Sequence, residues 1–318
     1  MGIGNALVDV ITHHDDPFLE SNSLVKGSMT LIDTDRAVGL YSVMGTGIEM
    51  SGGSAANTMC GVASFGGTAT YIGKVADDGL GEVFAHDLRA VGVGYQAPLA
   101  QLGVPTGRCL IVVTPDAQRT MNTYLGVSEL LGPDDVDAEL VAAAKVLYME
   151  GYLWDRPEAM AAYRKAARIA HEHGGKVSLT LSDSFCVERH WDAFRDLVAS
   201  EVDILFANET ELMALYRTAS VEEAFDHVAL DCDLAAVTLG AEGSMIVERT
   251  GGRHHVSAEP VKDVIDTTGA GDLYASGFLY GYTQGYGPSE CGRLGSIAAA
   301  EVIAHVGARP LVTLSRLL

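Results

Sequence analysis

The sequence predicts an α/β fold: a mostly parallel sheet with helices on both faces and a small discontinuous β-sheet lid over one edge. Three observations predict it. Apolar, β-branched runs alternate with helix-like stretches along most of the 318 residues. Two stretches, Leu24 to Met44 and Gln96 to Tyr124, are strand-rich without intervening helix patterns. Several predicted strands also run straight into glycine turns, where ligands sit in open α/β sheets.

In chain order, Ile3 to Ile11 reads as the first strand, and Ser54 to Phe65 as a helix of small residues closed by Gly66-Gly67. Thr68 to Val75 is a β-branched strand. Gly79 to Val91 is a helix carrying Leu80, Phe84, Leu88 and Val91 on one face. The strands Val146 to Met149, Val177 to Leu181, Ile204 to Ala207 and Leu234 to Leu239 follow. Helices Pro157 to His171, Trp191 to Val198 and Glu209 to Tyr216 lie between them. Two helices, Ala270 to Thr283 and Ser289 to His305, close the chain. This order implies right-handed crossovers. Residues 1–318 read as one domain, with lid segments at about 12–46 and 96–125 inserted in it.

With 48% hydrophobic and 20% charged residues, disorder is excluded as the main state. The 42 acidic and 21 basic residues give a net charge of −21, which repels nucleic acid and anionic lipid. Neither is therefore an expected partner. An anionic ligand must be captured by backbone amides, a metal ion or a few placed cations. Cys60, Cys109, Cys186, Cys232 and Cys291 are far apart, with no C-x-x-C pair. That spacing argues against a zinc site or disulfide framework and points to indifferent thiols in a reducing cytoplasm. No apolar run reaches the ~18 residues needed to cross a bilayer, and Asp9 interrupts the N-terminal run too early for a secretory signal.

The strongest chemical signal is Asp266-Thr267-Thr268-Gly269-Ala270-Gly271-Asp272, running into a helix. The amides of Gly269, Ala270, Gly271 and Asp272 form an unpaired first helical turn, which is an anion site. The same terminus is expected to keep Asp272 ionised. A carboxylate beside an anion nest suits an acid that takes a proton from an attacking hydroxyl while the amides hold the transferred group. The plainer alternative is a glycine turn capped by Asp272.

Gly52-Gly53-Ser54-Ala55-Ala56-Asn57 is a second glycine turn into a helix, with Ser54 as candidate N-cap and Asn57 either a hydroxyl ligand or a solvated side chain. Asn5 and Asp9, four apart on the first predicted strand, share a face and can grip adjacent hydroxyls, unless they belong to a frayed end. Asn208 and Glu211 head a helix, as dipole-matched caps or as organisers of water around Mg2+. Thr238-Leu239-Gly240-Ala241-Glu242-Gly243 is a further strand-to-glycine turn, suited to a nucleotide. His13-His14 and His254-His255 lack a helical metal-ligand spacing.

Together, Asp266 to Asp272, and Gly52 to Asn57 with Gly73 to Gly81, resemble the two signature motifs of the ribokinase-like (PfkB) family of carbohydrate and nucleoside kinases. Gly4 to Asp9, Pro105 to Cys109 and Val202 to Glu211 resemble its adenosine kinase branch most. The resemblance implies a ribokinase-like three-layer sandwich with a lid, and ATP-dependent phosphorylation of the 5′-hydroxyl of adenosine or a related purine nucleoside. In that reading Asp272 is the general base, Gly269 to Gly271 the anion hole, and Arg119 a lid cation for the phosphates. Asn5, Asp9, Gly53 and Asn57 hold ribose, and Tyr152 stacks on the base or is a core tyrosine. Asn208 and Glu211 organise Mg2+ through water, while Thr238, Gly240 and Gly243 line the ATP site. Relatives also use a monovalent cation such as K+. Two features depart from the family pattern: a short lead into the first strand, and Ala55-Ala56 where bulkier polar residues can stand. A sugar kinase acting on ribose, fructose or 2-keto-3-deoxygluconate is the alternative, as monomer or homodimer. A dinucleotide-dependent oxidoreductase is disfavoured because the glycine fingerprints are incomplete.

Overall fold

The computed structural model describes residues 1–96, 99–100, 103–116 and 118–318; residues 97–98, 101–102 and 117 of the second lid segment lie outside the described residues. The main sheet has eight strands. From one edge they are Arg253–Val256, Ser244–Glu248, Leu234–Thr238, Ile204–Asn208, Lys176–Thr180, Val146–Glu150, Gly2–Ile3 and Tyr71–Ile72. The last six are mutually parallel, and the first two add an antiparallel hairpin edge.

Alternate residues of the central strands feed opposite cores, as the strand period of two demands. Leu147, Met149, Val177, Leu179, Leu205 and Val237 meet the helices Pro157–Glu172, Trp191–Glu201, Glu209–Tyr216 and Val221–Asp231. Tyr148, Ile204, Phe206 and Ala236 meet Ser54–Ser64 and Ala270–Thr283 on the other face. Each buried Leu, Ile, Val, Met or Phe among them contributes roughly 1.5–3 kcal/mol. The result is the expected three layers.

The first predicted strand is in fact two. Gly2–Ile3 joins the main sheet, whereas Leu7–His13 joins a second sheet. The chain turns between them because Gly4 has no Cβ, which would run into the Glu150 carboxylate, and because Asn5 is anchored there. Thr68 to Val75 shortens to Tyr71–Ile72. The helix Val221–Asp231 and the Ser244–Val256 hairpin carried no prediction.

The second sheet runs Met29–Leu31, Arg119–Tyr124, Gly107–Val113, Leu7–His13, Ile48–Gly52. It therefore recruits strands from outside the two expected lid segments. Nor is the segment Leu24 to Met44 free of helix. Asp33 accepts from Arg36 N and starts the Thr34–Met44 helix, whose Ala37, Leu40 and Met44 stripe is buried. That helix and Asp16–Ser21 cover one face of the sheet, over Val10, Leu110 and Val112. The opposite face, bearing Asp9 and Arg119 in register with Cys109 and Val113, turns toward the main body.

Candidate active site

Asp272 sits on the first turn of Ala270–Thr283, where Gly269 (φ 78°) is the N-cap. A Cβ on Gly269 would lie 2.7 Å from Ala308 Cβ, whereas at Gly271 nothing lies within 4 Å. The turn is thus packed from below and open above. The Ala270 amide already donates to Thr267 O at 3.2 Å, which takes one donor out of the predicted nest and leaves Gly269, Gly271 and Asp272.

The Asp272 carboxylate is held from the other glycine turn. Ser54 Oγ donates to Oδ1 at 2.6 Å and Asn57 Nδ2 to Oδ2 at 3.0 Å. Ser54 is therefore not the N-cap of its helix. That position is Gly53, at φ 92°, where a Cβ would collide with the Asn5 carbonyl. Burial pushes Asp272 up to about 6, against Ser54, Asn57 and Arg309. The helix terminus does not hold it in the ordinary range, because loss of solvation outweighs a dipole exposed on one side only.

Asn5 is 2% exposed and engaged at both ends of its amide: Nδ2 donates to Glu150 Oε1 at 2.9 Å, and Oδ1 accepts from Ser128 Oγ at 2.9 Å. Asp9 does not share a strand with it. It projects from the lid sheet toward Gly52, where a Cβ would come within 2.6 Å of its carboxylate. Burial raises Asp9 to about 6, opposed by Arg309 and Arg119. Arg119 reaches from the lid to the turn ahead of Gly269, pairing with Asp266 Oδ2 at 2.7 Å and donating to Thr268 Oγ1 at 3.2 Å. Asp266 also accepts from Gly307 N at 2.9 Å.

Tyr152 lies in a short helical turn, Gly151–Asp155, half-buried, its hydroxyl donating to Ser182 O at 3.2 Å. Burial, then the charges of Asp183 and Asp272, push it up.

Two further groups carried little signal in the sequence. Glu150 ends the apolar strand Val146–Glu150, is 1% exposed, and accepts from Asn5 N, Asn5 Nδ2 and Ala55 N. Burial pushes it up to about 7. A carboxylate closing a run of Val, Leu, Tyr and Met is the signal that could have found it. Arg309, which donates to Asn57, follows the last helix with no motif that marks it.

Residues 29–314 match the pfkB family of carbohydrate kinases. The chain belongs to that family. It is a phosphotransferase acting on an alcohol group, and its fold is the ribokinase-like one. The solved adenosine kinase of Sinorhizobium meliloti is 55% identical, covers 99% of this chain and 97% of its own, and superposes with a TM-score of 0.92. A probable sugar kinase from Rhizobium etli CFN 42 is 52% identical over 99% of this chain and 96% of its own, also at 0.92. The adenosine kinase of Saccharomyces cerevisiae is 29% identical over 96% of this chain and 94% of its own.

Members of this kinase family use ATP and usually Mg2+. In this pfkB-family chain, Asn208 and Glu211 form a capping box: Asn208 N and Nδ2 donate to Glu211 at 2.9 and 2.7 Å, and Glu211 N donates to Asn208 Oδ1 at 2.8 Å. Burial, with Asp183 nearby, raises Glu211 to about 7. Both its oxygens are engaged by Asn208, and no group of three His, Cys, Asp or Glu able to hold a metal occurs among the described residues. Such a donor set fits Mg2+ bound through water rather than directly. Thr238 lies opposite Asn208 in the parallel register, which puts the two together at the carboxyl ends of neighbouring interior strands. Gly240 (φ 59°) faces open space. Gly243 (φ 96°) is packed under the hairpin, where a Cβ would meet the Val256 carbonyl. Among the described residues no helix is long and apolar enough to cross a membrane.

Proposed function

We propose that this kinase transfers a phosphoryl group from ATP to the 5′-hydroxyl of a purine nucleoside, with adenosine as first candidate. The observation that carries the substrate class is the inner face of the lid. On it Ile48, beside Asp9's strand, and Met29 and Leu31, on the far edge strand, are 62%, 46% and 47% exposed, with Met50 and Met121 partly buried over the buried Ile11 and Ile111. A free sugar offers hydroxyls and little apolar area. A purine base offers a flat apolar surface that such a ceiling covers.

Asp272 is the base in this reading, taking the hydroxyl proton as the new O–P bond forms, with Ser54 and Asn57 fixing the carboxylate's plane. The open amides of Gly271 and Asp272 receive charge from the moving group. Arg119 stands one turn away on Asp266 and exchanges that partner for phosphate when the lid closes. Asp9, with Gly53 and Asn57 beneath it, takes the ribose diol, and Tyr152 walls the base. Asn208 and Glu211 would hold Mg2+ through water, and the ion would supply charge neutralisation for the phosphates; Thr238 and Gly240 line the ATP site.

The likeness to the S. meliloti enzyme supports the nucleoside, whereas the R. etli relative's name keeps the sugar in view. Purified protein with Mg-ATP is expected to convert adenosine to AMP far faster than it phosphorylates ribose, fructose or 2-keto-3-deoxygluconate, read by mass spectrometry. Turnover of a sugar with none of any nucleoside would overturn the substrate; no product from any of them would overturn the reading entirely.

A further inference from the structure

Asn57 is fixed from two sides, and only one of them is Asp272. While its Nδ2 donates to Asp272, its Oδ1 accepts from Arg309 Nε at 2.7 Å. An amide whose oxygen faces a guanidinium can present only its NH2 to a carboxylate, so Arg309 decides which end of Asn57 meets Asp272. The guanidinium is itself held as a fork, one terminal nitrogen donating to Ser51 Oγ at 3.2 Å and the other to Cys60 Sγ. The segment ahead of it is seated on the anion turn: Gly307 N donates to Asp266, and Ala308 packs against Gly269. Arg309 thus links the end of a lid strand, the Ser54–Ser64 helix and the turn that carries Asp272.

We propose that Arg309 is a positioning residue for the Asp272 base, fixing the Asn57 amide against the carboxylate and holding a positive charge beside it. It acts through Asn57 and touches neither the acceptor hydroxyl nor the transferred group. The inference rests on the reading of Asp272 as base. Among the described residues, Asp272 also acts electrostatically on Asp9 from the lid strand, Glu150 and Tyr148 from the strand Val146–Glu150, and Tyr152 from the turn after it. These are acidic or neutral. Arg309 is the cation that opposes them at Asp272, with Arg119 acting alongside on Asp9.

The test compares Arg309→Gln and Arg309→Lys in the full chain. Carboxyl-carbon NMR, with the Asp272 signal assigned by its loss in Asp272→Asn, follows the titration without substrate or turnover. Arg309→Gln is expected to move the midpoint up by about one pH unit, and Arg309→Lys by less than half of that, because the charge stays while the fork is lost. With adenosine, Arg309→Gln should lower kcat ~10–100-fold with little change in KM, and the acid limb of the rate profile should follow the NMR midpoint. Asn57→Leu should lose a similar factor, and the double variant no more than the worse single one. A merely structural role would lower the melting temperature and leave midpoint and acid limb in place. That outcome, or fully additive losses, overturns the proposal. If Arg309→Gln does not fold, Arg309→Lys still decides: lowered kcat at an unchanged KM and an unchanged melting temperature supports it, and unchanged kcat, or a kcat loss matched by a fall in melting temperature, overturns it. Should the wild type phosphorylate nothing, the functional reading fails on its own, while the midpoint shift still tests Arg309.

Discussion

At Asp272, burial and hydrogen bonding pull in opposite directions. Burial raises the carboxyl, Ser54, Asn57 and Arg309 draw it back, and the balance falls at about 6. Such a base is ionised near neutrality yet basic enough to receive an alcohol proton late in the reaction. Asp272→Asn is expected to lower kcat by ~10²–10⁴, measured by coupled ADP release. In the proposed mechanism the ionised form is the active one, so kcat/KM should fall as pH drops through about 6; a profile flat from about pH 5 to 8 would remove Asp272 from the mechanism. Asp9 shows the cost of such a site. Its folded value is raised to about 6, so its contribution to stability is present below the ordinary carboxylate range and is lost as pH rises through about 6. Asp9→Asn should therefore gain in melting temperature relative to wild type between about pH 4 and 7, while binding nucleoside more weakly.

Between elements, the contact that matters most is the one joining the lid strand Arg119–Tyr124 to the loop before the anion turn. The Arg119 and Asp266 side chains are only 10% and 7% exposed, so removing one partner leaves the other buried and short of charge. Arg119→Met is expected to speed amide exchange across Arg119–Tyr124 and to lower kcat roughly tenfold. Unchanged exchange there would show that the pair does not hold the lid. The turn itself depends on Gly269. Alanine at φ 78° and against Ala308 costs on the order of 1–3 kcal/mol, which thermal melts of Gly269→Ala should register together with loss of turnover.

Over the whole molecule, the proposed substrate class rests on the two-layer lid. Helices cover its outer face, and the inner face leaves Met29, Leu31 and Ile48 exposed. Ile48, 62% exposed, can be changed without disturbing the core. Ile48→Gln should raise KM for adenosine about fivefold, the equivalent of about 1 kcal/mol of lost apolar contact, with KM for ATP unchanged. Equal KM values for adenosine in both proteins would take the base away from this face.

Much of the main sheet was legible in the chain because its signals are local. The helix Glu209–Tyr216 is bounded by a capping box, and Ala270–Thr283 by a glycine in the left-handed region. The split of Ile3 to Ile11 was not legible, since Gly4, Asn5 and Ala6 break the strand only because Glu150, 145 residues beyond Asn5, waits opposite. The Thr34–Met44 helix was hidden by a run of β-branched and apolar residues whose helical stripe matters only once a sheet lies beneath it. The sequence by itself determined the alternation of elements, the glycine turn and the acid at its end, because propensity, capping and turn chemistry act between near neighbours. Tertiary structure alone decided that Ser54 and Asn57 grip Asp272 from 218 and 215 residues away, and that Arg309 grips Asn57 across 252. Those pairings depend on which surfaces pack, and no local pattern encodes them.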